Sequence, residues 1–374
     1  MFTPSGSVDL DHLRDHVRLA CLPGVGSRYR RLLLERFGSP AGVFAARPEE
    51  LRSITKVGKK LAEAIPTLAR DSTADDTLAL CAKHAVDIVL EGTPAYPGLL
   101  ARIDDPPGLL FVRGAILAAD ALAVAVVGAR HATPYGLKVA EQLGGSLARA
   151  GYTVVSGLAR GIDAAAHRGA LAAGGRTIGV LGTGVLNVYP PENADLALDV
   201  IRSGAVVSEA PPLTEAHAGL FPQRNRIVSG LCLGTVVVEA SDRSGALITA
   251  RLAAEQGREV FAVPGPIDSR MSRGCHALIR DGATLVGGID DILEEFGPLF
   301  ETATTAAGRP VSHPAELQLD DIERRVLDAV GVGTTVDEIV TAADVSASQA
   351  LSAISVLEMR RLVRRLPGSR VERL

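Results

Sequence analysis

The run from Val154 to His167, Val-Val-Ser-Gly-Leu-Ala-Arg-Gly-Ile-Asp-Ala-Ala-Ala-His, constrains the fold more tightly than any other stretch. Two β-branched apolar residues end a short strand, two glycines frame a tight loop, and an alanine-rich helix runs from Ile162 to about residue 173, stopped by Gly174-Gly175. A strand, a glycine loop and a helix start together make an anion site, because free backbone N–H groups and the positive end of the helix dipole point at one spot. Arg160 lies inside the loop, where its guanidinium can grip a phosphate in a forked contact. An ordinary turn between strand and helix explains the glycines but not the arginine between them.

The pattern around this stretch repeats. Apolar strands at 123–127, 153–155, 177–181, 205–208, 235–238, 259–263 and 284–286 alternate with helical segments, notably 134–150, 162–173, 193–202 and 245–257. This is the rhythm of an open, mostly parallel, doubly wound sheet, an extended Rossmann-like α/β fold. A composition that is 47% hydrophobic suits buried parallel strands. Two shorter strands, 85–90 and 109–112, precede the main rhythm.

In such sheets ligands bind at the carboxyl ends of the strands. Those ends carry Gly128-Ala129-Arg130, then Ser156 to Gly161, then Gly182-Thr183-Gly184 running to Tyr189-Pro190, then Ser208-Glu209 followed by Phe221-Pro222-Gln223-Arg224-Asn225-Arg226, then Glu239 with Ser244-Gly245. Arg130, Arg160, Arg224 and Arg226 are expected to converge on one rim, which suits a phosphate chain better than one small metabolite. If 221–226 is extended, Arg224 and Arg226 point the same way and Asn225 points inward. Glu209 and Glu239 are expected to hold these arginines in place. Asp163 falls in a first helical turn, where the dipole favours a carboxylate, and His167 lies one turn further on. Phe221 is the best candidate for stacking on a base in a chain that is only 3% aromatic.

A net charge of −4 does not announce nucleic acid, so any such site must be a local basic cluster. The four cysteines are far apart and form no CxxC pair, which argues against a zinc site and for reduced thiols. Neither an N-terminal signal pattern nor a long apolar run is seen, so a cytoplasmic protein without a membrane segment is expected.

The flanks read as separate units. Residues 1–74 are short helices with glycine turns; Leu22-Pro23-Gly24-Val25-Gly26 before a basic helix, and Ile54 to Lys60, have the form of helix-hairpin-helix loops, or of a small helical packing domain. Either glycines that face a DNA phosphate or glycines that merely end helices account for them. Residues 75–300 form the sheet domain, 301–317 a linker of small residues, and 318–374 three helices and a hairpin about Pro367-Gly368-Ser369, a winged helix. The arginines at 360, 361, 364, 365 and 370 can meet DNA, yet the third helix carries almost no base-reading residue, which favours a protein partner.

Lined up, the strand-end motifs resemble the DNA-processing protein A (DprA/Smf) family: Val127-Gly128-Ala129-Arg130, Ser156 to Asp163, Ala166-His167, Gly182-Thr183-Gly184 with Tyr189-Pro190, Phe221-Pro222 with Arg224-Asn225-Arg226, Ser244-Gly245 through Ala250, and Gly257 to Gly265. The resemblance implies a protein without enzymatic activity or cofactor, flanked by a sterile-alpha-motif-like or hairpin domain and a winged helix. It would bind and protect incoming single-stranded DNA in natural transformation, displace single-strand-binding protein and help load the RecA recombinase. It also implies a homodimer near the last helix and strand of the sheet domain, with Ile279 and Leu285 as apolar anchors. By the same resemblance Gly128, Arg130, Ser156, Gly157, Arg160, Gly161, Phe221, Arg224, Asn225, Arg226, Ser244 and Gly245 would line the DNA pocket, supported by Asp163, His167, Glu209 and Glu239. No metal is implied.

Three competitors remain. A dinucleotide oxidoreductase needs GxGxxG after the first strand, and Gly128-Ala129-Arg130-His131 lacks it. A nucleotide phosphoribohydrolase needs a paired-glycine loop with an acid at its end, which 243–251 lacks, although Asp163 and His167 share a helix face and have the chemistry of an acid–base pair. A scaffold with a vestigial nucleotide site is compatible with the same residues.

Overall fold

The computed structural model describes residues 10–22, 25–54, 57–68, 71–296, 319–331, 333–360, 362–366 and 368–373. The expected linker at 301–317 therefore lies outside the described residues, as do Pro23, Gly24, Thr55, Lys56 and Arg361.

Six helices open the chain: α1 (Leu10–Ala20), α2 (Ser27–Phe37), α3 (Pro40–Ala45), α4 (Pro48–Arg52), α5 (Lys59–Leu68) and α6 (Thr73–Lys83). The sheet domain follows with strands β1 (Asp87–Leu90), β2 (Leu109–Gly114), β3 (Ala123–Val127), β4 (Thr153–Ser156), β5 (Thr177–Val180), β6 (Ala205–Ser208), β7 (Gly234–Val237), β8 (Glu259–Ala262) and β9 (Thr284–Leu285). Between them run α7 (Pro134–Arg149), α8 (Ile162–Ala172), α9 (Ala194–Ser203), α10 (Leu220–Gly230), α11 (Gly245–Glu255) and α12 (Arg273–Arg280), and α13 (Ile289–Phe296) closes the domain.

The nine strands form one sheet in the order β1-β2-β6-β5-β4-β3-β7-β8-β9. From β6 to β9 every pairing is parallel; β1 and β2 join antiparallel at one edge. From β3 the chain first steps outward through β4, β5 and β6, then returns to place β7 on the other side of β3. The order thus reverses between β3 and β7, where an open parallel sheet leaves a crevice at its carboxyl edge. Both faces are covered, so the strands are apolar throughout: Ala123, Ala125 and Val127 face the layer of α10 and α11, while Val124 and Val126 face α7 and α8.

Two glycines bring α7 and α8 together. A Cβ at Gly144 would sit 2.3 Å from the Ala166 carbonyl oxygen, and one at Gly169 would sit 2.0 Å from that of Glu141. At the amino edge of the sheet, Asp120 takes Arg176 in a forked contact (Nε 2.6 Å, Nη2 2.8 Å) and accepts from Thr153 Oγ1 at 2.9 Å. Arg176 also donates to Ser203 O at 3.1 Å. The Asp120–Arg176 pair thus ties the starts of β3, β4, β5 and β6.

The N-terminal helices are docked on the sheet domain. Leu13 and Val17, one helical turn apart on α1, enter the same core as Phe111 and Val206. Arg30 of α2 is buried and reaches Glu91 at 3.2 Å, its guanidinium lying where a Cβ at position 108 would be, 1.3 Å from Cζ. Glycine at 108 is what makes room for it.

The C-terminal unit comprises α14 (Asp321–Ala329), β10 (Thr334–Thr335), α15 (Val336–Ala343), α16 (Ala347–Met359), β11 (Val363–Leu366) and β12 (Arg370–Arg373). Its three helices start at Asp320, Thr335 and Ser346, each capped in a reciprocal box with Glu323, Glu338 or Gln349. The three short strands pair as β10-β12-β11, so the unit is a winged helix. All four cysteines are free thiols, and among the described residues no single helix is long and apolar enough to cross a membrane.

Two buried imidazoles make stability depend on acid. Burial, with Arg224 and Arg168 adding, lowers His167 from 6.5 to about 3; burial, with Arg30 and His12 adding, lowers His16 to about 4. Unfolded, both bind a proton below pH 6.5; folded, neither does until far lower. Stability should therefore be flat above pH 6.5 and fall as pH drops toward 4, by up to about 1.4 kcal/mol per pH unit for each imidazole. Urea titrations of wild type and His167→Gln between pH 7 and 4.5 check this: the variant should lose about half the slope, and a pH-independent wild type would refute it. Gly108→Ala should displace Arg30 from Glu91 and expose the interface between α2 and the sheet domain to protease.

Candidate nucleic-acid interface

The crevice between β3 and β7 opens into a cleft of about 610 Å³. Its wall from β3 is Gly128-Ala129-Arg130, its wall from β4 is Gly157 with Ala159, and α10 and the start of α11 close the other side. Gly128, Arg130, Gly157, Phe221, Arg224, Asn225, Ser244 and Gly245 all line it. The folded chain thus gathers most of the expected pocket residues at one carboxyl edge.

At the mouth, Arg130 is exposed and lies over the Phe221 ring, 5.2 Å from its centroid. Phe221 in turn packs against Tyr189 at 5.6 Å. Arg160 is exposed beside them and is held by Glu192. Arg130, Tyr189, Phe221 and Arg160 therefore make a platform of two rings and two cations, with neither ring fully buried. Tyr189 is not among the binding candidates named from the sequence; its signal there is a tyrosine before a proline at the end of a glycine loop.

The floor departs from expectation. Residues 220–230 are the helix α10, not an extended segment. Pro222 is tolerated because it is the third residue of that helix, where the backbone N–H has no intrahelical acceptor in any case. On a helix, residues two apart diverge, so Arg224 and Arg226 do not point together and do not reach the rim. Arg224 is buried under the cleft, where Nη1 donates to Gly157 O at 2.7 Å and to Val180 O. Arg226 is buried on the far side, donating to both oxygens of Glu209 at 2.9 and 2.8 Å and to Asp105 at 3.3 Å. Asn225 does not point inward; it lines the cleft and reaches Gly245 O at 3.4 Å. Glu209 holds an arginine as expected. Glu239 does not: it accepts from the backbone N–H and hydroxyl of Thr133 at 2.9 and 2.5 Å, fixing the residue that caps α7.

The glycine loop is also differently used. Two of its N–H groups turn inward rather than toward a ligand. Asp163, buried in the first turn of α8, accepts from Gly157 N at 3.0 Å and Ala159 N at 3.4 Å, and Ile162 N donates to Ala129 O. The nest thus holds an internal carboxylate. Burial raises the Asp163 carboxyl above its ordinary range against the lowering pull of Arg224 and the two amides. Burial lowers Arg224 to about 10, opposed by Asp163 and reinforced by Arg130. Gly157 is a glycine because the Arg224 guanidinium passes 2.4 Å from where its Cβ would be; Gly161 combines φ 74° with a carbonyl 2.2 Å from its own Cβ position. Ser156 turns away from the cleft, its hydroxyl donating to Val126 O at 2.6 Å inside the sheet.

His167 does not meet Asp163. Its Nδ1 lies 2.7 Å from Thr177 Oγ1, whose own proton goes to Val154 O at 2.6 Å, so the imidazole donates from Nδ1 and leaves Nε2 unprotonated. The acid–base pair that a hydrolase would use is therefore not assembled. Among the described residues no group of acids, histidines or cysteines could hold a metal ion.

Other expected contacts are dispersed. Leu285 is 48% exposed on β9, the edge strand, while Ile279 is half-buried against the core. In the winged helix Arg360 pairs with Glu323, Arg364 with Glu372 and Arg365 with Glu358, and the exposed side of α16 shows Ser348, Gln349, Leu351, Ser352 and Ser355.

Comparison with known proteins agrees with this architecture. Residues 87–297 match the family described as DNA recombination-mediator protein A, residues 310–369 the DprA winged helix domain, and residues 18–66 a SAM-like helix-hairpin-helix tandem. The chain is 41% identical over 281 residues to protein Smf of Escherichia coli, covering 74% of each, and 32% identical over 382 residues to protein Smf of Synechocystis sp., covering 94% of this chain and 96% of that one. Among solved structures it is similar to DNA processing protein A (DprA) from Streptococcus pneumoniae (TM-score 0.63, 34% identity, 75% of this chain and 95% of that one). It is also similar to the Helicobacter pylori protein described by its single-stranded DNA binding mode (TM-score 0.50, 28% identity, 55% and 94%). The strand-end motifs, the reversed sheet order and these matches agree, and the chain belongs to the DNA processing protein A (DprA/Smf) family.

Proposed function

We propose that the protein binds single-stranded DNA along the carboxyl edge of its sheet, with little sequence preference, and acts by holding and handing over the strand rather than by catalysis. The observation that carries this is the exposed platform of Arg130 on Phe221 and Tyr189, set at the mouth of a cleft floored by the buried Arg224. Cations meet backbone phosphates there, and the rings offer faces to unpaired bases, which a duplex keeps stacked away. The single-stranded DNA binding named for the Helicobacter pylori relative supports the reading.

The arrangement divides the arginines by task. Arg130 has no carboxylate partner among the described residues, so it is the main phosphate ligand; Arg160 shares its charge with Glu192 and contributes less. Arg224 and Arg226 support the site from within. Arg130→Ala should weaken binding and reduce the salt slope by about one, the loss of one phosphate contact. Phe221→Ala should weaken it by about 1–3 kcal/mol with the slope unchanged. Arg226→Ala should keep the slope and lower stability by about 2–3 kcal/mol, less than a fully buried pair because Glu209 and Asp105 stay partly wet. Fluorescence anisotropy against single- and double-stranded oligonucleotides over a salt series decides the matter. Equal affinity for duplex, or indifference to salt, would overturn the proposal.

Family membership supports the finer roles. In this reading the protein works in the cytoplasm during natural transformation, protects incoming strands, displaces single-strand-binding protein and loads the RecA recombinase as a homodimer. The exposed Leu285 on an edge strand suits pairing with a second copy. Leu285→Asp should give monomers in light scattering with an unchanged circular dichroism spectrum; a monomeric wild type would remove the dimer. RecA filament growth on strands coated with single-strand-binding protein tests the loading role.

A further inference from the structure

Helix α10 has a second cleft on its other side. Phe221, Asn225 and Val228, at helical spacing, face the phosphate cleft; Leu220, Gln223 and Ile227, offset by a third of a turn, face a cavity of about 320 Å³. The far wall of that cavity belongs to the N-terminal domain: Leu22, Val25, Gly26 and the buried Arg30. Its floor is Gly182 at the end of β5 and Ser208 with Glu209 at the end of β6. Arg224 lines both clefts, and its buried Nε has no hydrogen-bond partner. The first turn of α10 is thus a ridge between two chambers that share one buried cation.

The chambers differ in charge. The first has the unshared Arg130. In the second, Glu209 is neutralised by Arg226 and Arg30 is paired with Glu91. What remains toward the solvent side is hydrogen-bonding groups without a carboxylate or guanidinium: Gln223, Thr214 and His217. Such a chamber is poor for a second phosphate and suited to a flat polar group with donors and acceptors at its edge.

We propose that this interdomain chamber takes the base of a nucleotide adjacent to the one whose phosphate meets Arg130, so that the strand crosses the N-terminal end of α10 and the N-terminal domain completes the site. The inference rests on the proposed single-strand binding. Two consequences separate it from a second phosphate site: a base there is read by its edge, and its contribution does not depend on salt.

The test uses the full-length protein and short oligothymidylates, each intact or carrying one abasic nucleotide scanned along the strand, with anisotropy as readout. Gln223→Ala removes an edge contact from an exposed helix position, and Ala210→Trp fills the chamber from its floor. In wild type, one abasic position should weaken binding about fivefold or more. In Gln223→Ala and Ala210→Trp the intact strand should lose a similar factor, that abasic position should cost nothing further, and the salt slope should stay at the wild-type value. Wild-type affinity and an unchanged abasic profile in both variants would overturn the inference while Arg130→Ala still tests the parent site. A salt slope reduced by about one in either variant would also overturn it, since the chamber would then hold a phosphate. If Ala210→Trp fails to melt cooperatively, Gln223→Ala decides alone. A wild type that binds no single-stranded DNA removes both readings.

Discussion

The cleft depends on a cation that almost never touches solvent. Arg224 is taken from water, which destabilises it enough to lower its pKa, and it is held by two backbone carbonyls and the field of Asp163. A guanidinium stays charged under these conditions where a lysine would titrate. Around it the local sequence is determined: Gly157 must lack a side chain to let it pass, Asp163 must sit in the first turn of α8, and that carboxylate must turn the Gly157 and Ala159 amides inward. The glycine loop then serves as the frame of a buried charge pair, and the exposed rim lies in front of it.

The sheet was legible because parallel strands covered on both faces must be apolar, and runs such as Ala123–Val127 admit little else. Helices with an apolar period and a clear stop, such as α7, α8 and α11, were legible for the same reason. Helix α10 was not: its first two turns read Leu-Phe-Pro-Gln-Arg-Asn-Arg, with a proline and four polar residues, and only tertiary packing of Ile227 and Val228 makes it a helix. That single misreading turned two buried structural arginines into rim residues. Most residues that line the cleft were visible in the sequence; the direction of the side chains was not, since Ser156 turns into the sheet, Arg226 pairs on the far side, and Asp163 and Glu239 take backbone N–H groups of nearby loops.

The two edges of the sheet are built by opposite rules. At the amino edge, Asp120 and Arg176 satisfy each other and their neighbours in a closed network, which holds four strand starts together and leaves no group for a ligand. At the carboxyl edge, the pairs are incomplete: Arg130 rests on a ring, Arg224 keeps a nitrogen without a partner, and Arg160 stands exposed. Rigidity at one edge is what allows unsatisfied groups at the other to persist without collapse of the crevice between β3 and β7.

The contact between Arg30 and Gly108 limits how this chain can be recombined with its relatives. The guanidinium occupies the volume of a missing methyl group and ends on Glu91, so three positions in two domains form one lock. An N-terminal domain transplanted from a relative forms this lock only if its counterpart of residue 30 is long and cationic. Conversely, this N-terminal domain needs a host with no side chain at 108 and an acid at 91. Module exchange in such proteins is therefore set by steric compatibility at one glycine, and a functional chimera requires that these positions travel together.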